Sequence, residues 1–264
     1  MVFEKHLFTS DYHCPDHNEK IVDLLLEFTK DFKPDYFHIV GDFVNFSSVS
    51  KYDHDPHYEV DLSVEIETAR TLLERVVKVV RESNPQCIIE WNEGNHELRL
   101  IKYLIRNAPQ FALIKSPNST VDMVSIPFLF DLKKLGVRWI PMTEIHRTCG
   151  TIRIEHGELI RKGSGMTAKA MLDMRGEDGM SGHTHRLALH LKTNGDTKYW
   201  VELGCLCNLQ PTPPYVISPD WSQGFLVGIF NSESKVFYPQ VIPILNNSFM
   251  YGDKLYAYER TTTC

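Results

Sequence analysis

The chain has 264 residues, of which 42% are hydrophobic, 11% aromatic and 23% charged. That mixture excludes collagen-like, low-complexity and wholly disordered classes. The net charge is −6, from 28 basic and 34 acidic side chains, which argues against a generally basic nucleic-acid coat but leaves room for a local basic groove.

A chain of this length buries about three quarters of its unfolded-state surface and needs no staples to fold. Six scattered cysteines (Cys14, Cys87, Cys149, Cys205, Cys207 and Cys264) are too few for a disulfide scaffold and suit a reducing compartment. The opening Met1-Val2-Phe3-Glu4-Lys5-His6 has neither the basic nor the apolar region of a signal peptide. No apolar run approaches the ~18 residues of a spanning helix. The expectation is one domain over residues 1–264, cytoplasmic and without membrane contact.

Leu7-Phe8-Thr9 reads as a buried strand that ends at Asp11. Residues 17–33 carry Ile21, Val22, Leu24, Leu25 and Phe28 at helical spacing. Tyr36-Phe37-His38-Ile39-Val40 is a second strand, broken by Gly41-Asp42. A longer helix over 61–83 follows, with Val64, Ala69, Leu72, Leu73, Val76 and Val80 on one face. Cys87-Ile88-Ile89-Glu90-Trp91 is a third strand, and Gly94-Asn95-His96-Glu97 sits just beyond it. Strand, helix, strand, helix, strand predicts a parallel α/β sheet. Farther on, 137–141, 151–155, 187–192, 199–203, 225–230 and 236–242 read as strands, and only 166–175 as a good helix. These predict a second, more antiparallel sheet packed on the first, closed by a hairpin over 225–242.

In open α/β sheets, ligand sites form outside the carboxyl ends of the strands. Here those ends carry Asp11-Tyr12-His13, Gly41-Asp42, Gly94-Asn95-His96-Glu97, His156-Gly157 and Gly182-His183-Thr184-His185. Each cluster alone has an ordinary reading as a turn or helix cap. Five strand ends in series, each bearing groups that are costly to bury unless paired or metal-bound, point to a metal site.

The same five clusters, in this order, resemble the calcineurin-like metallophosphoesterases, of the stand-alone kind common in bacteria and phages. The family pattern is Asp-x-His, Gly-Asp, Gly-Asn-His-Asp/Glu, a His followed by Gly, then Gly-His-x-His, and the match spans residues 11–185. The resemblance implies a four-layered α/β/β/α sandwich, two mixed sheets packed face to face with helices outside. It implies that Asp11, His13 and His185 bind one metal, that Asn95, His156 and His183 bind another, and that Asp42 bridges them. His96 is then the unliganded catalytic histidine. Protein Ser/Thr phosphatases of the superfamily have Val-Asp-Arg-Gly after Gly-Asp and Arg before Gly-Asn-His-Glu. This chain has Phe43-Val44-Asn45-Phe46 and Glu93 instead, which argues against a phosphoprotein phosphatase.

The chemistry implied is hydrolysis of P–O bonds by a hydroxide shared between two divalent ions, which also neutralise the phosphoryl oxygens. Mixed imidazole and carboxylate ligands suit Mn first, with Fe, Zn, Ni or Mg as alternatives, better than Ca. The expected substrate is a phosphodiester in nucleic acid or a nucleotide. The alternatives are a small-molecule phosphomonoester, a cyclic nucleotide, or a non-catalytic interaction scaffold. Four further residues are candidates for substrate contact: Arg99 after the Gly-Asn-His-Glu motif, Arg161 in a glycine-rich turn, and Tyr52 and His54 in the 47–58 loop. Cys205-Leu206-Cys207 is not a zinc-ribbon spacing and reads as ordinary buried thiols. The sequence sets no oligomeric state.

Overall fold

Strand β1 (Phe3–Thr9) places Leu7 and Phe8 on opposite faces, as the two-residue period of a strand requires, and both are fully buried. In the computed structural model, which describes residues 3–52, 61–115, 120–193, 195–210 and 219–258, each face meets a different layer. Leu7 belongs to the same buried cluster as Ile21, Val22, Leu25 and Phe28 of helix α1 (Glu19–Phe32) and Leu73, Val76 and Val80 of α2 (Leu62–Ser83). Phe8 packs instead with side chains of a second sheet.

The helices begin where local chemistry directs. The Asn18 side chain accepts the Ile21 N–H at 3.3 Å ahead of α1, and the Asp61 side chain accepts the Ser63 N–H at 2.7 Å ahead of α2. Between them run β2 (Tyr36–Val40) and a short 3-10 turn at Ser47–Val49. After α2 come β3 (Ile88–Asn92) and α3 (Glu97–Asn107), then a second 3-10 turn at Pro109–Phe111 and two one-turn helices, α4 (Ile126–Leu129) and α5 (Leu132–Leu135). Strand β4 (Val137–Ile140) closes this half.

The remainder supplies β5 (His146–Thr148), β6 (Ile152–Glu155), α6 (Met166–Arg175), β7 (Gly179–Ser181), β8 (Ala188–Lys192) and β9 (Lys198–Glu202). Next come β10 (Gly224–Asn231) and β11 (Val236–Pro243), and finally a hairpin of β12 (Ser248–Tyr251) and β13 (Lys254–Ala257). The first sheet runs β11-β10-β1-β2-β3-β4, and the second runs β5-β6-β7-β9-β8. Phe8, Val40, Leu226, Phe230 and Phe237 of the first sheet interlock with Ile152, Ile154, Met180, Tyr199 and Val201 of the second. On the far face of the second sheet, Trp200 packs under Ala168, Met171 and Leu172 of α6. The layers are therefore helix, sheet, sheet, helix, and the expected α/β/β/α sandwich is the fold.

Two assignments to the second sheet are corrected. The 137–141 strand is β4, paired parallel with β3 in the first sheet. The 225–242 hairpin is also in the first sheet, because β10 pairs antiparallel with β1. Phe225 and Val227 face the helices while Leu226 and Phe230 face the second sheet, so β10 needs a position covered on both sides. The second sheet is half parallel rather than mainly antiparallel: β6-β7 and β7-β9 are parallel, β5-β6 and β8-β9 antiparallel. Among the described residues no helix is long and apolar enough to cross a membrane, and the five described cysteines are free thiols.

Candidate metal centre

The five polar clusters meet at one edge of the sandwich, where the strands deliver their carboxyl ends. Five of the residues there, Asp11, His13, Asp42, His183 and His185, adopt positive φ between 50° and 72°. This left-handed conformation is unfavourable for L side chains and best tolerated by Asn, Asp and His, and its concentration at one place is typical of functional loops. Two glycines make the approach possible. A Cβ on Gly41 would lie 2.4 Å from His156 Nδ1, and one on Gly94 would lie 2.2 Å from Asp42 Oδ1.

Asp11, His13 and His185 form one group. His185 Nε2 is 3.2 Å and His13 Nε2 3.7 Å from Asp11 Oδ1, and the two ring nitrogens are 2.9 Å apart. The other oxygen, Asp11 Oδ2, accepts the Ser10 hydroxyl at 2.6 Å and the His183 backbone N–H at 3.0 Å. Asp42 stands at the centre of a second group. Its Oδ2 is 3.1 Å from His156 Nε2, 3.7 Å from His96 Nε2 and 3.9 Å from His13 Nε2, and its Oδ1 accepts the His96 backbone N–H at 2.9 Å. Asn95 Oδ1 is 3.2 Å from His156 Nε2, and the His183 ring lies edge-on to His156 at 5.4 Å between centroids. Asp42 thus touches both groups.

This donor set fits a pair of cations. Among the described residues, Asp11 Oδ1 is a buried carboxylate oxygen with no hydrogen-bond partner, and the facing nitrogens of His13 and His185 leave it only ring atoms for company. Burial alone would lower His156 and His185, yet the charges of Asp42 and Asp11 push them up to about 10. The upward shifts mark two buried carboxylates in need of positive charge, which divalent ions would supply. His156 Nδ1 donates to the Val40 carbonyl at 2.8 Å, which fixes the ring and directs Nε2 inward, as second partners of metal-binding histidines do. Burial and the neighbouring His156 bring His183 down to about 4, so it offers a neutral ring.

His96 is tied on both sides. Its Nδ1 donates to the Asn45 carbonyl at 2.9 Å, and its Nε2 accepts from Arg99 Nη2 at 2.8 Å. Arg99 Nη1 also donates to the Asn45 carbonyl at 2.9 Å, so this guanidinium lies beside the histidine. Arg161 is exposed, its carbonyl receiving Arg186 Nη1 at 2.8 Å. Tyr52 is exposed with Lys51 Nζ 5.2 Å over its ring. His54 lies outside the described residues.

Three contacts were not read from the sequence. Glu97 Oε1 accepts the Phe43 and Val44 N–H groups at 2.7 and 3.3 Å, and Oε2 accepts those of Asp42 and Gly94 at 3.0 and 2.8 Å. Burial, then the charge of Asp42, raises this carboxyl to about 7. Its place in the Gly-Asn-His-Glu motif was the available signal. Cys207 Sγ lies 4.0 Å from His185 Nδ1, and the Trp221 ring packs on His185 at 4.5 Å between centroids. Neither carries a local pattern.

The profile of the calcineurin-like phosphoesterase family matches residues 5–187. The chain is 24% identical over 253 residues to the Gene 54 protein of Mycobacterium phage D29, covering 91% of this chain and 93% of that one. It is 24% identical over 264 residues to the Gene 54 protein of Mycobacterium phage L5, with 94% and 96% covered. Among solved structures, Vps29 of Cryptosporidium parvum is 14% identical with a TM-score of 0.48, covering 98% of this chain and 100% of that one. Vps29 of Entamoeba histolytica is 14% identical with a TM-score of 0.46, covering 93% and 96%. With the family profile spanning both groups of site residues, the chain belongs to the calcineurin-like phosphoesterases.

Proposed function

We propose that the chain is a dinuclear-metal phosphoesterase that hydrolyses P–O bonds, and that its preferred substrates are phosphodiesters of nucleic acids or nucleotides. The observation that carries this reading is Asp42, whose Oδ2 lies within 3.9 Å of ring nitrogens from His13, His96 and His156. Asp11, His13 and His185 would hold one ion, Asn95, His156 and His183 the other, and Asp42 both. When bound, such ions, Mn foremost, supply an activated water and neutralise phosphoryl oxygens.

The chain's own side chains position and protonate. Asn45 and Arg99 fix the His96 ring on either side. Burial first, with His13 and Arg99 adding, holds this ring well below its ordinary pKa in the free protein. An anionic phosphate alongside favours the imidazolium; with the guanidinium of Arg99 turned to the phosphate, Nε2 would carry the proton given to a leaving oxygen.

The test is hydrolysis of bis-p-nitrophenyl phosphate against p-nitrophenyl phosphate with added Mn. The diester is expected to be cleaved faster. A faster monoester would reassign the substrate class, and inactivity on both with Mn, Zn, Ni and Mg would favour an interaction scaffold. With a nucleic-acid substrate, activity should fall steeply between roughly 50 and 200 mM salt, because each phosphate contact releases counterions.

A further inference from the structure

Apart from the Asp11 and Asp42 groups, a buried polar cluster lies between the two sheets. His38 and Glu90 are register partners on β2 and β3, and His146 reaches them from β5 across the sandwich. Glu90 Oε2 lies 3.1 Å from His38 Nδ1 and 3.1 Å from His146 Nε2. The three atoms lie within 4.8 Å of one another, and all three residues are buried. An ordinary hydrogen-bonded network would explain the cluster only if each polar atom were satisfied. His38 Nδ1 stands 3.1 Å from Glu90 Oε2 without an aligned hydrogen bond among the described residues, so this buried contact has the spacing of two metal ligands rather than the alignment of donor and acceptor.

We propose that His38, Glu90 and His146 form a second, separate binding site for a single divalent transition-metal ion of the zinc, cobalt or iron(II) class. Atoms bound to one such ion at about 2.0–2.2 Å stand roughly 3–3.5 Å apart, which is the spacing of the carboxylate oxygen from each ring nitrogen here. Two imidazoles and one carboxylate select these ions over calcium.

The groups around the cluster are those a metal site requires. Asn92 faces His146 Nδ1 with both amide atoms, Nδ2 at 3.1 Å and Oδ1 at 3.2 Å, so with a metal on Nε2 the amide oxygen is within reach of a proton on Nδ1. With a metal on His38 Nδ1, the proton on Nε2 faces His6 Nδ1 at 3.2 Å. Arg138 Nη1 occupies the other carboxylate oxygen, Glu90 Oε1, at 3.0 Å and leaves Oε2 for the ion. A cavity of about 520 Å³ is lined by Asn92 and His146, at the His146 end of the cluster. The bound ion would join β2 and β3 of one sheet to β5 of the other.

The experiment uses the full chain, its His146→Gln variant and its His38→Gln variant, each stripped with a chelator, reloaded with zinc alone and dialysed. Zinc per chain is then measured by mass spectrometry. Each variant is expected to hold one ion per chain fewer than the unaltered protein and to lose part of its zinc-dependent rise in Tm. Equal zinc content in all three would overturn the site. If neither variant folds, anomalous scattering from zinc-grown crystals of the unaltered chain decides. A peak shared by His38 Nδ1, Glu90 Oε2 and His146 Nε2 is expected, and no peak there overturns the proposal. Both readouts count ions and are independent of whether the chain hydrolyses phosphate esters.

Discussion

The backbone N–H of Asp42 donates to Glu97 Oε2 at 3.0 Å, joining the loop after β2 to the first turn of α3. Through its other contacts, the same carboxylate gathers Phe43, Val44 and Gly94 around one buried point. An amide at this position presents one donor edge toward N–H groups, leaving at least one of them unsatisfied. Glu97→Gln should therefore destabilise the fold by about 2–3 kcal/mol. Urea unfolding measures this, and a midpoint equal to that of the unaltered protein would refute the clamp.

Asp42 and His96 are neighbours with separable roles. Asp42→Ala is expected to lose metal from one or both positions, whereas His96→Ala should keep its metal and lose turnover by about 100- to 10,000-fold. Metal analysis beside rate measurement separates the two. A fully loaded Asp42→Ala protein would contradict the bridging role.

Arg99 reaches both the Asn45 carbonyl and His96 Nε2, at 2.9 and 2.8 Å. If it positions His96, Arg99→Ala lowers kcat by about tenfold or more with KM little changed, and Arg99→Lys restores part of the loss. A raised KM at constant kcat would show instead that the guanidinium grips substrate.

The missing Cβ of Gly94 is a structural requirement. Gly94→Ala would set a methyl group 2.2 Å from Asp42 Oδ1 and 2.4 Å from Asp42 N, atoms that are fixed by hydrogen bonds. The cost should be about 1–3 kcal/mol together with loss of bound metal. Unaltered Tm and metal content would show that the loop relaxes freely.

Arg75 of α2 pairs with Glu19 of α1, with Arg75 Nη2 at 3.0 Å from Glu19 Oε2. That hydrogen bond is the main cause of the lowered pKa of Glu19. A depressed carboxylate contributes stability above its unfolded pKa of about 4.3, and the contribution fades as pH falls through the folded value. Glu19→Gln should therefore lower Tm at pH 7 and make no difference at pH values below both, with a cost under about 1 kcal/mol because the pair is partly exposed. A Tm gap that widens on acidification would reverse the sign.

Several features were readable along the chain because they are local. Ile21, Val22, Leu25 and Phe28 mark a helix by spacing alone, and the strand runs at Leu7 and at Tyr36-Phe37 are short, apolar and bounded. The clusters of metal-ligand residue types at strand ends could likewise be listed in order, since each spans only a few residues. The 225–242 hairpin is legible as a hairpin, but its assignment to the second sheet fails, because alternation on both faces is the same whichever sheet surrounds it.

Residue order and type alone determined β1, α1, β2, α2 and β3 and the series of polar strand ends, while the α/β/β/α class came with the family resemblance those motifs carry. The tertiary structure alone decided that β10 lies beside β1, that Glu97 ties four backbone N–H groups, and that His38, Glu90 and His146 meet between the sheets. The division has a physical cause. Spacing along the chain records which face of a helix or strand is buried, whereas contacts between distant segments leave no period in the sequence and exist only once the layers close.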